Sequence, residues 1–169
     1  MEAFWMTKQD KLGILITGGG RRIGAAIAKA LAADGWFVYI HCHKSSDEAA
    51  LVLNDIRKNY GDGMVIVEDL SLVGAAEKVI KQAVQGPVPL VAMVNNASLF
   101  EYDSIKTVTE ESLDEHFSIN VRSPILLSKA FACSLSNDRG GCIINILDNK
   151  IHAINPDYLS YTISKIALQ

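Results

Sequence analysis

Short, continuous apolar runs alternate along this chain with stretches of helical spacing. The run Leu12-Gly13-Ile14-Leu15-Ile16 predicts a buried strand, because a strand covered on both faces shows no polar alternation. Ala25–Ala33 follows as a helix, with Ile27 and Leu31 on one face. Trp36–His41 predicts a second strand and Asp47–Asn59 a second helix. Met64–Val67 and Leu90–Val94 read as further strands, with a helix over Gly74–Val84 between them and a break at Gly86-Pro87-Val88-Pro89. A long helix is expected from Glu111 to Ser134, then a turn at Arg139-Gly140-Gly141, strand Cys142–Leu147, and helix again from about Tyr158. Alternating units of this length predict an α/β fold: a parallel, doubly wound sheet in the order 3-2-1-4-5 with helices on both faces. A single domain over 1–169 is expected, with 1–11 as a short tail.

The join between the first strand and first helix carries chemistry. Thr17-Gly18-Gly19-Gly20-Arg21-Arg22-Ile23-Gly24 fills it. Glycines at such a turn let backbone N–H groups approach a pyrophosphate, and the helix N-terminus adds partial positive charge. Gly24 lets the helix pack closely on the strand. That is the pattern of a Rossmann-type dinucleotide site; a tight turn that binds nothing is the plainer alternative. At the other end, Tyr161 and Lys165 sit four apart in Y-T-I-S-K, which on a helix brings their Cβ atoms to roughly 5–6 Å. An ammonium beside a phenol stabilises the phenolate and lowers its pKa. Such a pair can protonate a carbonyl or imine that receives a hydride.

Composition narrows the class without naming the chemistry. Hydrophobic residues make up 49% and charged residues 21%, as in a globular chain. A net charge of −3 offers no basic face for nucleic acid. No apolar run reaches membrane-spanning length, and M-E-A-F-W-M-T-K lacks the basic-then-apolar pattern of a signal peptide. Cys42, Cys133 and Cys142 have no metal or redox spacing, so they read as buried thiols in a reducing cytoplasm. His41 and His43 lack a thiol or carboxylate cluster to complete a site, so no metal is expected.

T-G-x-x-x-x-I-G, Asn95-Asn96-Ala97, Asn120 and Y-x-x-x-K fall in the order and at the distances of one family, and the chain resembles the short-chain dehydrogenases/reductases along essentially its whole length. Within them it looks most like the pteridine and dihydromonapterin reductases. Three features carry that narrower likeness: Arg22 where most members have glycine, His41-Cys42-His43-Lys44-Ser45 after the second strand, and Asp148 where the family usually places a catalytic serine. The second-strand end holds no acid until Asp47, whereas NAD enzymes commonly place one there for the ribose hydroxyls. Lys44, Ser45 and Arg21 instead offer charge and donors for a 2′-phosphate, with His43 beside them, so NADPH is the expected cofactor.

The resemblance assigns further positions. It places Gly18, Arg22, Ile23 and Gly24 at the pyrophosphate turn, and Asp69 and Leu70 beside the adenine. Asn96, Ala97 and Ser98 fall near the adenosine ribose and the nicotinamide edge. Asn120 matches a residue that holds a water in a proton relay. Phe100 lies where pterin reductases stack an aromatic ring on substrate, with Ser98 nearby; Arg22 is placed to reach both pyrophosphate and a pterin heteroatom. Without the resemblance, core packing is the better reading of Phe100, and a local cap or turn role is the plainer alternative for Asn120 and Asp69.

The implied reaction is NADPH-dependent reduction of a pterin C=N, with Tyr161 as proton donor and Lys165 on the nicotinamide ribose. Asp148 either has a raised pKa or pairs with a protonated pterin nitrogen, since a carboxylate cannot otherwise donate. A reductase of another carbonyl, such as a 3-oxoacyl thioester, is the runner-up, although it leads one to expect serine at 148. A non-catalytic nucleotide-binding remnant is the third reading. It follows from the sequence stopping four residues past Lys165, where family members usually continue. A fold incomplete at its C-terminus is expected on that ground. A homo-oligomer is expected of a complete protein, and not of this chain alone.

Overall fold

The computed structural model describes residues 11–59, 61–136 and 140–169; the expected tail up to residue 10, and Arg139 of the expected turn, lie outside them. Five parallel strands form one sheet: β1 (Gly13–Ile16), β2 (Phe37–Cys42), β3 (Gly63–Val67), β4 (Leu90–Asn95) and β5 (Cys142–Asn145). Their order is β3-β2-β1-β4-β5, as the alternation predicts. Register is continuous from Ile14↔Val38 to Ile16↔Ile40 between β1 and β2, and from Ala92↔Cys142 to Asn95↔Asn145 between β4 and β5.

Burial on both faces explains the unbroken apolar runs. Ile14, Ile16, Val38, Ile40, Ala92 and Val94 pack with Ala28, Ala32, Val52 and Ile56 of helices α1 (Arg22–Ala33) and α2 (Ser46–Asn59). Leu15, Tyr39 and Met93 point the other way, onto Val79, Ile80, Leu127 and Phe131 of α3 (Ala75–Val84) and, past α4 (Glu110–Phe117), α5 (Ser123–Ser134). Chain direction around the sheet reverses between β1 and β4, which opens a crevice beyond their carboxyl ends. α6 (Leu159–Leu168) packs against α4 and the turn that follows it.

Three expectations need correction. The helix over Glu111–Ser134 is two helices joined by a π-helical turn at Ser118–Arg122. Pro124 has no N–H for the carbonyl of Asn120 four residues earlier, and Ser123 N–H reaches back to Ser118 O instead. Strand Cys142–Leu147 ends at Asn145, and Ile143 and Ile144 on this edge strand stay 40% and 46% exposed. Of the three cysteines, Cys42 is buried, whereas Cys133 and Cys142 are exposed.

Candidate active site

The glycine turn is held by a compact set of side chains. Thr17, fully buried at the end of β1, accepts from Asn96 N–H and Ala97 N–H at 3.0 Å each. Asn96 Nδ2 returns to Thr17 O at 2.8 Å, locking the end of β4 onto the turn. Gly18 adopts φ +63°, where a Cβ is strained. Arg22 also has a positive φ, +46°, in a side chain that stays exposed at the start of α1. A non-glycine residue there costs about 1–2 kcal/mol, and glycine is the usual occupant in the family this chain resembles. Arg21 Nε lies 3.4 Å from Glu48 Oε1, a partner that sequence reasoning missed.

His41 sits near the end of β2, beside the glycine turn. Its position is structural: 2% exposed, with Nδ1 accepting from Gly18 N–H at 3.4 Å and Nε2 at 3.0 Å from Glu68 O. The two contacts require a neutral ring protonated on Nε2. Burial pushes its pKa down to about 4, aided by His43 and opposed by Glu68 O and by the Glu68 and Asp69 carboxylates. The unfolded chain therefore takes up a proton near pH 6.5 that folded His41 refuses until about 4. Stability from this group is complete above the unfolded value and is lost as pH falls through that window, by up to roughly 3 kcal/mol. Urea unfolding at pH 7 and pH 4.5 should show the loss, and His41→Gln should shrink it; an equal acid slope in the variant refutes the assignment.

His43, Lys44, Ser45, Asp69, Leu70 and Ser98 line a groove of about 1320 Å³ beyond the strand ends. Asp69 accepts from Ser71 N–H at 2.9 Å and lies 3.5 Å from His43 Nε2. Burial works against its ionisation, but the Ser71 bonds and the His43 and Lys44 charges hold its pKa below the ordinary value. The groove thus brings together residues of the β2 end and the β3 end.

At the other end, Tyr161 Oη donates to Asp148 Oδ2 at 2.5 Å, and Asp148 Oδ1 accepts from Lys150 N–H at 2.8 Å. Lys165, 3% exposed, gives Nζ to Ile146 O at 2.9 Å and lies 5.9 Å from the Tyr161 ring centre. Asn120 is fully buried in the π-helical turn. Its Oδ1 accepts from Leu99 N–H (2.8 Å) and Ser98 Oγ (3.1 Å), and its Nδ2 donates to Leu99 O (3.0 Å) and Ser164 Oγ (2.9 Å). Its four bonds join the loop after β4 to α6.

One electrostatic expectation is overturned, and one of the two readings of Asp148 falls away. The Tyr161 pKa is not lowered: burial and the hydrogen bond to Asp148 push the phenol well above its ordinary value. Asp148 is not raised either; the bond from Tyr161, the Lys150 amide and the Lys165 charge hold it below the usual carboxylate range. The pair therefore shares one proton, which sits on the phenol. Burial pulls the Lys165 pKa down, with Asp148 opposing.

Phe100 is 49% exposed, so it is not core. Its ring stacks on Tyr158 (4.3 Å, 9°) and meets Tyr161 edge-on (4.6 Å, 84°). Thr162 stands four residues after Tyr158, so Tyr158 has no lysine partner of the kind Tyr161 has. The structure gives it a place in this aromatic wall, with φ +58°. Asp103, Ser160 and Ser164, also missed, carry no motif and come together through chain segments far apart.

The family model described as short chain dehydrogenase matches residues 13–169, and the chain belongs to that family. An uncharacterized oxidoreductase of Methylorubrum extorquens is 34% identical over 163 residues, which cover 96% of this chain and 65% of that protein. Among solved structures, FolM alternative dihydrofolate reductase 1 from Brucella suis, in complex with NADP, superposes with a TM-score of 0.86 at 37% identity. It covers 93% of this chain, which spans 65% of that one. The angucycline C-6 ketoreductase LanV with bound NADP gives a TM-score of 0.85 at 28% identity, over 92% of this chain and 62% of that one.

Proposed function

We propose that the protein is an NADPH-dependent reductase of the pterin C=N bond, built on a single dinucleotide-binding domain and acting on a small molecule in a reducing cytoplasm. The observation that carries this reading is the 2.5 Å bond between Tyr161 and an ionised Asp148. A ketone accepting hydride develops negative charge on oxygen, which a neighbouring carboxylate opposes. An imine nitrogen that takes up a proton develops positive charge, which the same carboxylate favours.

The chain's residues suit the cofactor. An added Cβ at Gly24 would lie 2.2 Å from Gly18 O, so helix and turn approach as closely as a pyrophosphate cradle needs. Lys44, Ser45 and His43 stand at the adenosine end of the groove with no acid on β2 to take ribose hydroxyls. Both FolM and LanV are described with NADP, which supports the same choice here. Bound there, NADPH supplies the hydride.

The protein's part is positional and electrostatic. The C=N nitrogen takes the proton from Tyr161 Oη and becomes cationic; as the carbon then accepts hydride, the electron pair of C=N moves to nitrogen and cancels that charge. Asp148 keeps the hydroxyl aimed and offsets positive charge on the ring. Lys165 offsets the phenolate left behind, and Asn120 ties the loop after β4 to α6. Phe100 offers a ring face to a flat substrate. Arg22, exposed at the start of α1, is the side chain assigned here to both pyrophosphate and pterin.

NADPH oxidation should be followed with dihydropterins and with ketones on the complete gene product. Turnover confined to ketones overturns the reading in favour of a carbonyl reductase, the activity LanV's name describes. For the cofactor, Lys44→Ala should weaken NADPH binding about tenfold or more, a loss of about 1.4 kcal/mol, and leave NADH unchanged. Equal losses for both would remove the 2′-phosphate role.

A further inference from the structure

We infer that Asp103 is a positioning residue for Tyr161, acting by clamping the first turn of α6 from 57 residues earlier in the chain. The inference rests on the proposed role of Tyr161. A helix leaves its first backbone N–H groups without partners, and a short polar residue at the N-cap usually supplies one. The N-cap of α6 is Tyr158, held at φ +58° and giving no side-chain cap.

Asp103 supplies the missing acceptors. Its backbone carbonyl accepts from Tyr158 N–H at 2.8 Å and Leu159 N–H at 3.3 Å. Its carboxylate accepts from Ser160 N–H at 3.0 Å, Ser160 Oγ at 2.5 Å and Ser112 Oγ at 3.2 Å. Ser112 belongs to the capping box that starts α4, so one side chain ties the beginnings of two helices together. Asp103 is 4% exposed and Ser160 fully buried, so water cannot easily replace either partner. A buried carboxylate stripped of its donors is costly, and α6 is therefore held at the rotation that keeps all three bonds.

Tyr161 is the next residue after Ser160. Where Ser160 is pinned, the phenol direction follows, and with it the 2.5 Å contact to Asp148. The far side of the same turn is fixed through Ser164 and Asn120. The loop that bears Asp103 also bears Phe100 and Tyr102, which meet the Tyr158 ring at 4.3 Å and 5.3 Å. Substrate-facing ring and helix clamp are thus one rigid segment. A misplacement of about 1 Å in a reacting group can cost about 10²-fold in rate.

The test is tyrosine ring-carbon NMR of the complete gene product, with the Tyr161 signal assigned by its loss in Tyr161→Phe. Asp103→Ala should displace the Tyr161 signal, while Asp103→Asn, which keeps an oxygen for Ser160 N–H, should stay near the unmutated position. In parallel, kcat should fall roughly 10–100-fold in Asp103→Ala, with NADPH affinity held. Should that variant not fold, Asp103→Ser, too short to reach Ser160 N–H, replaces it under the same criteria. A Tyr161 signal unmoved in the folded variant, or moved as far by asparagine as by alanine, overturns the inference. Turnover that survives Tyr161→Phe instead refutes the role of Tyr161, and leaves the NMR criterion for the clamp intact.

Discussion

Asp148→Ala should lower kcat for dihydropterin reduction about 10²–10⁴-fold, the usual span for a group taking part in proton transfer. NADPH affinity should change by less than about threefold, because Asp148 follows β5 and bonds to Tyr161 and Lys150, with β4 between β5 and the strand that bears the glycine turn. The loss follows from charge. With the carboxylate gone, nothing anionic faces the nitrogen that gains a proton, and the phenol loses the acceptor that aims it. Asp148→Ser should behave differently: it restores a neutral donor, so ketone reduction should rise from its starting level while pterin reduction falls. Tyr161→Phe should abolish both, since the proton donor itself is removed. Steady-state kcat, with NADPH affinity measured by fluorescence, checks all three. Pterin turnover at the unmutated rate in Asp148→Ala would reduce Asp148 to a cap for the turn at Lys150, and the pterin reading would lose its main support.

What could be read from the sequence was local or periodic. Strand order follows from the alternation of strands and helices, and the nearness of Tyr161 to Lys165 from a spacing of four residues; the structure has both. Asp148 was legible through its distance from Tyr161 in the chain; its ionisation was not, because that depends on a hydrogen bond direction and on burial. The π-helical turn had a signal, Pro124 four residues after Asn120, yet apolar spacing through Leu127 and Phe131 continues across it and hides the break. Asp103 left no trace beyond a polar residue in a loop. Its partners Ser112 and Ser160 lie 9 and 57 residues away, so only the packing of α4 against α6 makes the cluster. The role of His41 was not legible either, since its buried ring accepts from the backbone of Gly18, 23 residues away in the chain.

Gly24→Ala should have the largest effect of any single methyl added to this fold. The new carbon would sit 2.2 Å from Gly18 O and 2.6 Å from Asn96 Nδ2. Neither neighbour can give way cheaply. Gly18 O is backbone at φ +63°, and Asn96 Nδ2 already binds Thr17 O at 2.8 Å. The start of α1 must then draw back from the turn, which carries the helix N-terminus away from where a pyrophosphate would lie. Overpacking of this kind costs about 1–3 kcal/mol, and more where backbone is struck. The urea midpoint should fall accordingly, and NADPH dissociation should rise about tenfold or more in whatever fraction remains folded. Gly61→Ala is the matched control, because its added carbon meets Ala32 O at an ordinary 3.8 Å. If Gly24→Ala unfolds at the control's midpoint and binds NADPH as the unmutated protein does, α1 is free to shift, and the close approach of helix and turn is not what makes the cradle.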